Sequence, residues 1–193
     1  MVDPTVFAFA VLAVLATPGP TNTLMAVAGA TLGILRGLKL IPAEVAGYLA
    51  SISILTFIFH PFVAAFPFAA AVLRVGCGLY LAVLALNMWR TSASEAGQAD
   101  LVDFPRVFTT TLLNPKSLIF AFQIFPTGGP RLVLASFGTF AVICTAAATM
   151  WICLGAMLGS RTKAFVSDAG IRRVTAIVLG LFAVMFFVST VAT

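Results

Sequence analysis

Charged side chains are scarce in this chain: Asp, Glu, Lys and Arg together make up 9% of its 193 residues. Soluble domains carry about 25% charged residues. The hydrophobic fraction is 61% and the mean hydropathy is +1.12, so the composition excludes an ordinary soluble domain. It predicts an all-α membrane protein that crosses the bilayer several times, with membrane lipid around most of its surface.

Cysteine and histidine are also rare, with three cysteines and one histidine. None of the cysteines forms a Cys-x-x-Cys motif. Cys144 and Cys153 lie on one predicted helix, roughly 13 Å apart along its axis, which is too far for a disulfide. We predict no cofactor and no metal site, and we interpret the thiols as small apolar core residues. A membrane enzyme or redox carrier would need paired cysteines, a His cluster or a second buried carboxylate, which the sequence lacks.

Most of the sequence consists of long apolar runs, and these runs predict six transmembrane helices. The predicted spans are Pro4–Leu35, Leu40–Phe59, Val63–Trp89, Val107–Phe125, Leu132–Leu158 and Ile171–Ala192. The polar stretch 91–106 is predicted to be a cytoplasmic loop. It divides a single transmembrane domain, 1–193, into repeat one, 1–90, and repeat two, 107–193. Because each repeat has three spans, an odd number, we expect the two repeats to lie inverted in the membrane.

The basic residues lie in short connections between spans, so the net charge of +5 indicates membrane topology and not nucleic-acid binding. Connections between spans 1 and 2, 3 and 4, and 5 and 6 hold Arg36, Lys39, Arg90, Arg106, Arg161, Lys163, Arg172 and Arg173. The other two connections hold Arg131 alone. The positive-inside rule then predicts a multi-pass protein of the cell inner (plasma) membrane with both termini outside.

Helix breakers occur in the first span of each repeat. Pro18-Gly19-Pro20 interrupts span 1 and Asn114-Pro115 interrupts span 4, because proline lacks a backbone N–H and clashes with the preceding turn. Paired breaks at corresponding positions are typical of the binding site of a secondary transporter. The alternative is that both breaks are packing kinks, which are common in membrane helices.

Polar groups cluster around both breaks. Asn114 suits the N-cap and Pro115 the first turn of a restarted helix, and the exposed N–H groups would favour an anion such as a carboxylate. Thr21 and Asn22 supply hydrogen-bonding groups at the first break. The predicted substrate site comprises Pro18, Gly19, Pro20, Thr21, Asn22, Glu44, Tyr48, Asn114, Pro115 and Lys116.

The hypothesis of transport depends on two charged residues inside the predicted spans, Lys116 and Glu44. Lys116 would hold a substrate carboxylate, or else form a structural ion pair with Glu44. Glu44 would bind a substrate ammonium, carry the coupling proton, or both; the alternative is an interface residue paired with Arg36 or Lys39. Tyr48 lies one turn from Glu44 on the same helical face. The role of Arg74 in span 3 is left open between snorkelling outwards and substrate contact.

These motifs resemble those of the LysE/RhtB-type amino-acid exporters along nearly the whole chain. The resemblance rests on Thr17-Pro18-Gly19-Pro20, Leu113-Asn114-Pro115-Lys116, Leu73-Arg74-Val75-Gly76, Trp89-Arg90 and Ile171-Arg172-Arg173-Val174. It implies export of amino acids or close derivatives from the cytoplasm, in exchange for protons.

One departure from that family concerns the second span. Many family members have an acidic residue directly after a glycine there, whereas Gly47 is followed by Tyr48 and the acid is Glu44. The coupling site or the substrate is therefore expected to differ from the better-known branches. A non-transporting membrane subunit is the remaining alternative, and a homo-oligomer is compatible with every reading.

Overall fold

The computed structural model describes residues 3–59, 65–90, 102–126 and 128–158, with the isolated positions 177, 180, 181, 183, 184 and 188. Within these residues all regular structure is helical, as the composition predicts for an all-α membrane protein. The α-helices are α1 Pro4–Ala16, α2 Pro20–Leu32, α3 Ile34–Gly37, α4 Ile41–Ile54, α5 Pro67–Arg90, α6 Phe104–Leu112, α7 Lys116–Ile119 and α8 Pro130–Leu158.

The first two helices form a bent pair. Asp3 caps α1 by accepting a hydrogen bond from the N–H of Thr5 at 2.8 Å, and this bond holds the pKa of the exposed Asp3 carboxyl below its ordinary value. Helix α1 ends at Ala16, and α2 begins at Pro20, where proline suits the first turn. The axes of the two helices differ by 64° across this break.

The predicted end of span 1 at Leu35 and the predicted start of span 2 at Leu40 are both wrong. Gly33 has φ +78°, a left-handed conformation that glycine adopts without steric cost, and it ends α2 at Leu32. A continuous helical segment then runs over Ile34–Ile58, through a 3-10 turn between α3 and α4 and a π-helical turn at Leu55–Phe59. The basic residues assigned to the connection therefore lie inside the first turns of this segment.

The predicted loop 91–106 is too long at its C-terminal end. Asp103 accepts a hydrogen bond from the N–H of Arg106 at 2.9 Å and caps α6, which starts at Phe104. Residues 91–101 lie outside the described residues. Span 4 is interrupted between Leu112 and Lys116, and a π-helical turn at Phe120–Ile124 completes it. Helix α8 starts two residues before the predicted Leu132.

The described residues belong to two compact units. One lies within Met1–Ile52 and Ala99–Phe165, and it contains every residue of the predicted substrate site. The other lies within Ser53–Gln98 and Val166–Thr193. It contains α5, which carries Arg74, but the side chain of Arg74 is outside the described part of the structure.

Helices α2 and α8 pack directly against each other in the first unit. A Cβ atom added at Gly29 would overlap the carbonyl group of Ile152, and one added at Gly155 would overlap the carbonyl group of Ala26. The two backbones are therefore in direct contact, as small residues allow in membrane helix pairs. Apolar side chains continue the core around this contact, among them Met25, Ala28, Leu40, Ile41, Ala43, Val107 and Ala148.

Two helices of the described residues are long and apolar enough to cross a membrane, Ile34–Ile58 and Pro130–Met157. The bent pair of α1 and α2 adds a third if it is one span. The predicted span Ile171–Ala192 falls outside the described residues except for isolated positions. The arrangement of six spans in two inverted repeats stays a prediction.

Candidate functional site

The break between α1 and α2 leaves backbone carbonyl groups at the C-terminal end of α1 without helical partners. Asn22, which is 2% exposed, reaches back across the break and donates from Nδ2 to the carbonyls of Leu15 and Thr17, both at 2.7 Å. Trp151 of α8 also donates to the Leu15 carbonyl, at 3.4 Å. Side chains therefore satisfy the carbonyl groups that the break exposes.

Lys116 reaches the same break from the other half of the sequence. Its side chain is 3% exposed, and its Nζ donates to the carbonyl of Thr17, 99 positions away. A Cβ atom at Gly19 would lie 3.0 Å from Cε and 3.2 Å from Nζ of Lys116. Glycine thus leaves the space through which the lysine passes. The negative end of the α1 dipole also favours an ammonium group at this position.

The second break is organised by Asn114, which is 3% exposed. Its Oδ1 accepts a hydrogen bond from the N–H of Lys116 at 3.0 Å, the bond that an N-cap residue makes. Pro115 lies between them with φ −61°, which suits the first turn of a helix. The side chain of Asn114 thereby restarts the helix that carries Lys116.

The side-chain amide nitrogen of Asn114 connects this break to two other helices. Its Nδ2 lies 2.9 Å from Oγ1 of Thr21 and 3.1 Å from the hydroxyl of Tyr48. Thr111 of α6 donates its hydroxyl proton to the carbonyl of Val107 at 2.7 Å, so its Oγ1 accepts from the hydroxyl of Thr21 at 3.2 Å. The structure therefore brings side chains of α2, α4 and span 4 into one buried polar network.

Glu44 is 1% exposed and lies beside this network without joining it. Its Oε2 has no hydrogen-bond partner among the described residues. Glu44 and Lys116 interact electrostatically, yet no ion pair joins them. The structural pairing of Glu44 with Lys116 is therefore wrong for this conformation. Pairing with Arg36 or Lys39 is equally wrong, since those side chains are exposed at the start of the helical segment.

The ten predicted residues divide into three groups by position. Those in direct contact across the breaks are Gly19, Thr21, Asn22, Tyr48, Asn114 and Lys116. The three prolines, Pro18, Pro20 and Pro115, shape the backbone of the breaks. Glu44 stands apart, as a buried carboxyl group facing no partner. The role of each residue in substrate binding stays a prediction.

Four residues that surround the site are absent from the predicted set. The Thr17 carbonyl, and not a carboxylate, accepts the hydrogen bond from Lys116. Ser117 is fully buried and its Oγ has no partner among the described residues. Cys144 is also fully buried and lies close enough to interact electrostatically with both charges. The spacing of Thr111, three residues before Asn114 and hence on the same helical face, was a usable signal.

No group of three or more His, Cys, Asp or Glu side chains within the described ranges is placed to hold a metal ion. The arrangement brings together one buried lysine, one buried carboxyl group and neutral donors and acceptors around two helix breaks. The model of the LysE type translocator family matches residues 12–190 of the chain. Comparison with curated proteins and with solved structures finds no match.

Proposed function

The chain belongs to the LysE type translocator family, and on this basis we propose that it exports amino acids or related small zwitterionic solutes from the cytoplasm. Family membership and the apolar helices make it a membrane transporter. The class of solute, the plasma membrane as its location and the exchange for protons are parts of this proposal. The six-span inverted-repeat architecture belongs to it as well, because the two breaks occupy corresponding positions in the two halves of the sequence.

The observation that carries the proposal is the separation of Glu44 from Lys116. Both side chains are at least 97% buried, their charges are opposite, and they interact without forming an ion pair. Ionisable groups within transmembrane helices are costly and mark functional sites. A zwitterion carries one group of each sign, so its ammonium complements Glu44 and its carboxylate complements Lys116.

In the proposed cycle a solute arriving from the cytoplasm releases Lys116 from the Thr17 carbonyl. Its carboxylate then replaces that carbonyl as the partner of the ammonium group, a stronger charge-assisted hydrogen bond. Its own ammonium group reaches the unpaired oxygen of Glu44. After release outside, Glu44 takes up a proton, because a buried carboxylate without a partner is unfavourable, and the protonated form permits the return.

Counterflow in proteoliposomes tests the function. Vesicles containing the purified protein are loaded with a panel of unlabelled amino acids, and uptake of labelled amino acid is followed with and without an imposed pH gradient. We expect exchange with one class of amino acid, accelerated by the gradient. Folded protein that exchanges none of the panel would contradict amino-acid export.

Variants of the two charges test the site. Lys116→Ala and Glu44→Gln are each expected to abolish exchange, since each removes one complementary charge, while the protein still inserts. The matched controls are Lys39→Ala and Asp103→Asn, which change exposed residues of the same type; asparagine also preserves the helix cap at position 103. Wild-type exchange in both Lys116→Ala and Glu44→Gln would remove the proposed site.

A further inference from the structure

Aromatic rings extend from Tyr48 of the polar network towards the start of α1. The ring of Tyr48 makes edge-to-face contacts with Phe120 and Phe140, with centroids 5.7 Å apart in each case, and the rings of Phe120 and Phe140 are 4.9 Å apart. Phe140 also contacts Phe125 at 5.7 Å, and Phe125 contacts Phe7 at 5.5 Å. We refer to these five side chains as the aromatic column.

The far end of the aromatic column lines a cavity. The cavity has a volume of about 80 Å³, and it lies between the first turns of α1 and α8. Its lining includes Phe7 of the column, Pro126 next to Phe125, and Ser136 and Thr139 on α8.

We propose that the aromatic column is the gate that closes the binding site, and that the cavity beyond it is the mouth through which solute leaves the protein. The gate belongs to the first compact unit, and it lies between the Asn114 network and the cavity. This inference rests on the proposed transport function and on the predicted position of the N-terminus outside the membrane. It adds the exit path and the residues that block it.

The packing of the column explains why it closes the path. All five side chains are at most 7% exposed, so no water-filled gap separates the rings. A zwitterion that enters such a segment loses its hydration and finds no polar partner in exchange, which is strongly unfavourable. Hydrophobic constrictions close channels for the same reason, by excluding water.

Phe140 holds the column together, because its ring contacts Tyr48, Phe120 and Phe125. It lies on α8 beside Thr139, which faces the cavity. Removing this ring would therefore separate Tyr48 and Phe120 from Phe125 and interrupt the aromatic column next to the polar network. No other ring of the column makes three contacts within it.

Cysteine labelling tests the gate without any substrate. In a chain with Cys77, Cys144 and Cys153 replaced by alanine, one reporter is Thr139→Cys, at the cavity. The second reporter is Ser117→Cys, at the binding site, where the wild-type hydroxyl has no partner. Intact cells and inverted membrane vesicles are treated with a membrane-impermeant methanethiosulfonate, and the rate of labelling is measured.

In intact cells we expect rapid labelling of Thr139→Cys and slow labelling of Ser117→Cys. Adding Phe140→Ala should raise the labelling rate of Ser117→Cys by about tenfold or more, which corresponds to ~1.4 kcal/mol of closing free energy. The matched control is Phe9→Ala, which removes a ring of α1 that is 69% exposed. It should leave the labelling rate unchanged. Size-exclusion chromatography verifies that each variant is folded.

Two results would overturn the gate. One is a labelling rate of Ser117→Cys that is unchanged in folded Phe140→Ala and Phe120→Ala variants. The other is labelling of Thr139→Cys in inverted vesicles alone, which would place the cavity on the cytoplasmic side. The labelling reagent is not an amino acid, so the labelling result does not depend on the proposed substrate. The expected labelling together with failed amino-acid exchange would uphold the gate and remove the proposed substrate class.

Discussion

The two helix breaks differ in how their backbone groups are satisfied. At the break between α1 and α2, the exposed carbonyls of Leu15 and Thr17 accept hydrogen bonds from Asn22, Lys116 and Trp151. At the break between α6 and α7, Asn114 caps its own helix. The first break therefore takes two of its three partners, Lys116 and Trp151, from distant parts of the chain, whereas the second supplies its own cap.

The hydrogen bonds between the breaks run in both directions. Lys116 donates to the Thr17 carbonyl and Asn114 donates to the Thr21 hydroxyl. The Thr21 hydroxyl in turn donates to Thr111, whose own proton is used by the Val107 carbonyl. We infer that removing a side chain of span 4 disturbs both breaks, whereas removing Asn22 leaves the Asn114 cap of the second break in place. Three sets of variants test this difference.

The largest effect is expected from Asn114. Asn114→Ala removes both the cap and the donors to Thr21 and Tyr48, whereas Asn114→Ser keeps a capping hydroxyl that is too short to reach them. The difference between the two variants should be about 0.5–2 kcal/mol of unfolding free energy, the value of an N-cap. Thermal unfolding in detergent measures it. Equal destabilisation by serine and alanine would show that the cap contributes nothing.

An intermediate effect is expected from Asn22→Ala. It removes one buried and one partly buried hydrogen bond, each with a net value of about 0.5–1.5 kcal/mol, but both carbonyls keep one other partner. Trp151 fluorescence, measured in a Trp89→Phe background, should change because its ring is hydrogen-bonded to the same break. The control is Gln123→Ala, an exposed amide. A change in the labelling of a reporter at Ser117 would contradict the local character of this disturbance.

The smallest effect is expected from Thr111→Val, which keeps the side-chain shape and removes the hydrogen bond to Thr21. We expect a loss of about 0.5–1.5 kcal/mol. Thr145→Val is the matched control, because Thr145 also bonds the carbonyl four residues earlier but is exposed on α8. The control should stay within about 0.5 kcal/mol of wild type. Equal effects of the two substitutions would assign no stabilisation to the bond between the helices.

The residues of the candidate site were predictable because they are rare in their surroundings. Lys116 and Glu44 are charges inside apolar runs, and the two breaks are marked by proline. Their partners were less predictable, since the contact of Lys116 with Thr17 joins side chain to backbone across 99 positions. A charge in an apolar segment predicts that a partner exists, but periodicity does not reveal which group it is.

The helix boundaries show a similar limit. Gly33 reads as one small residue within an apolar run, yet its left-handed conformation ends α2 and starts the next helix. Asp103 reads as part of a polar loop, yet it caps α6. Both residues set a helix boundary through the backbone, by its conformation or by a capping hydrogen bond. The hydrophobicity pattern of the sequence does not reveal either effect. The π-helical turns at Leu55–Phe59 and Phe120–Ile124 were missed for the same reason.

The backbone contact between α2 and α8 has a mechanical consequence. Where two helices touch at Gly29 and Gly155, no layer of side chains lies between them that could repack during sliding. The two helices are therefore expected to move together as one rigid body. Helix α2 begins at the first break and α8 carries Phe140. A rearrangement around Lys116 would therefore be transmitted to the aromatic column without any change within the helices themselves.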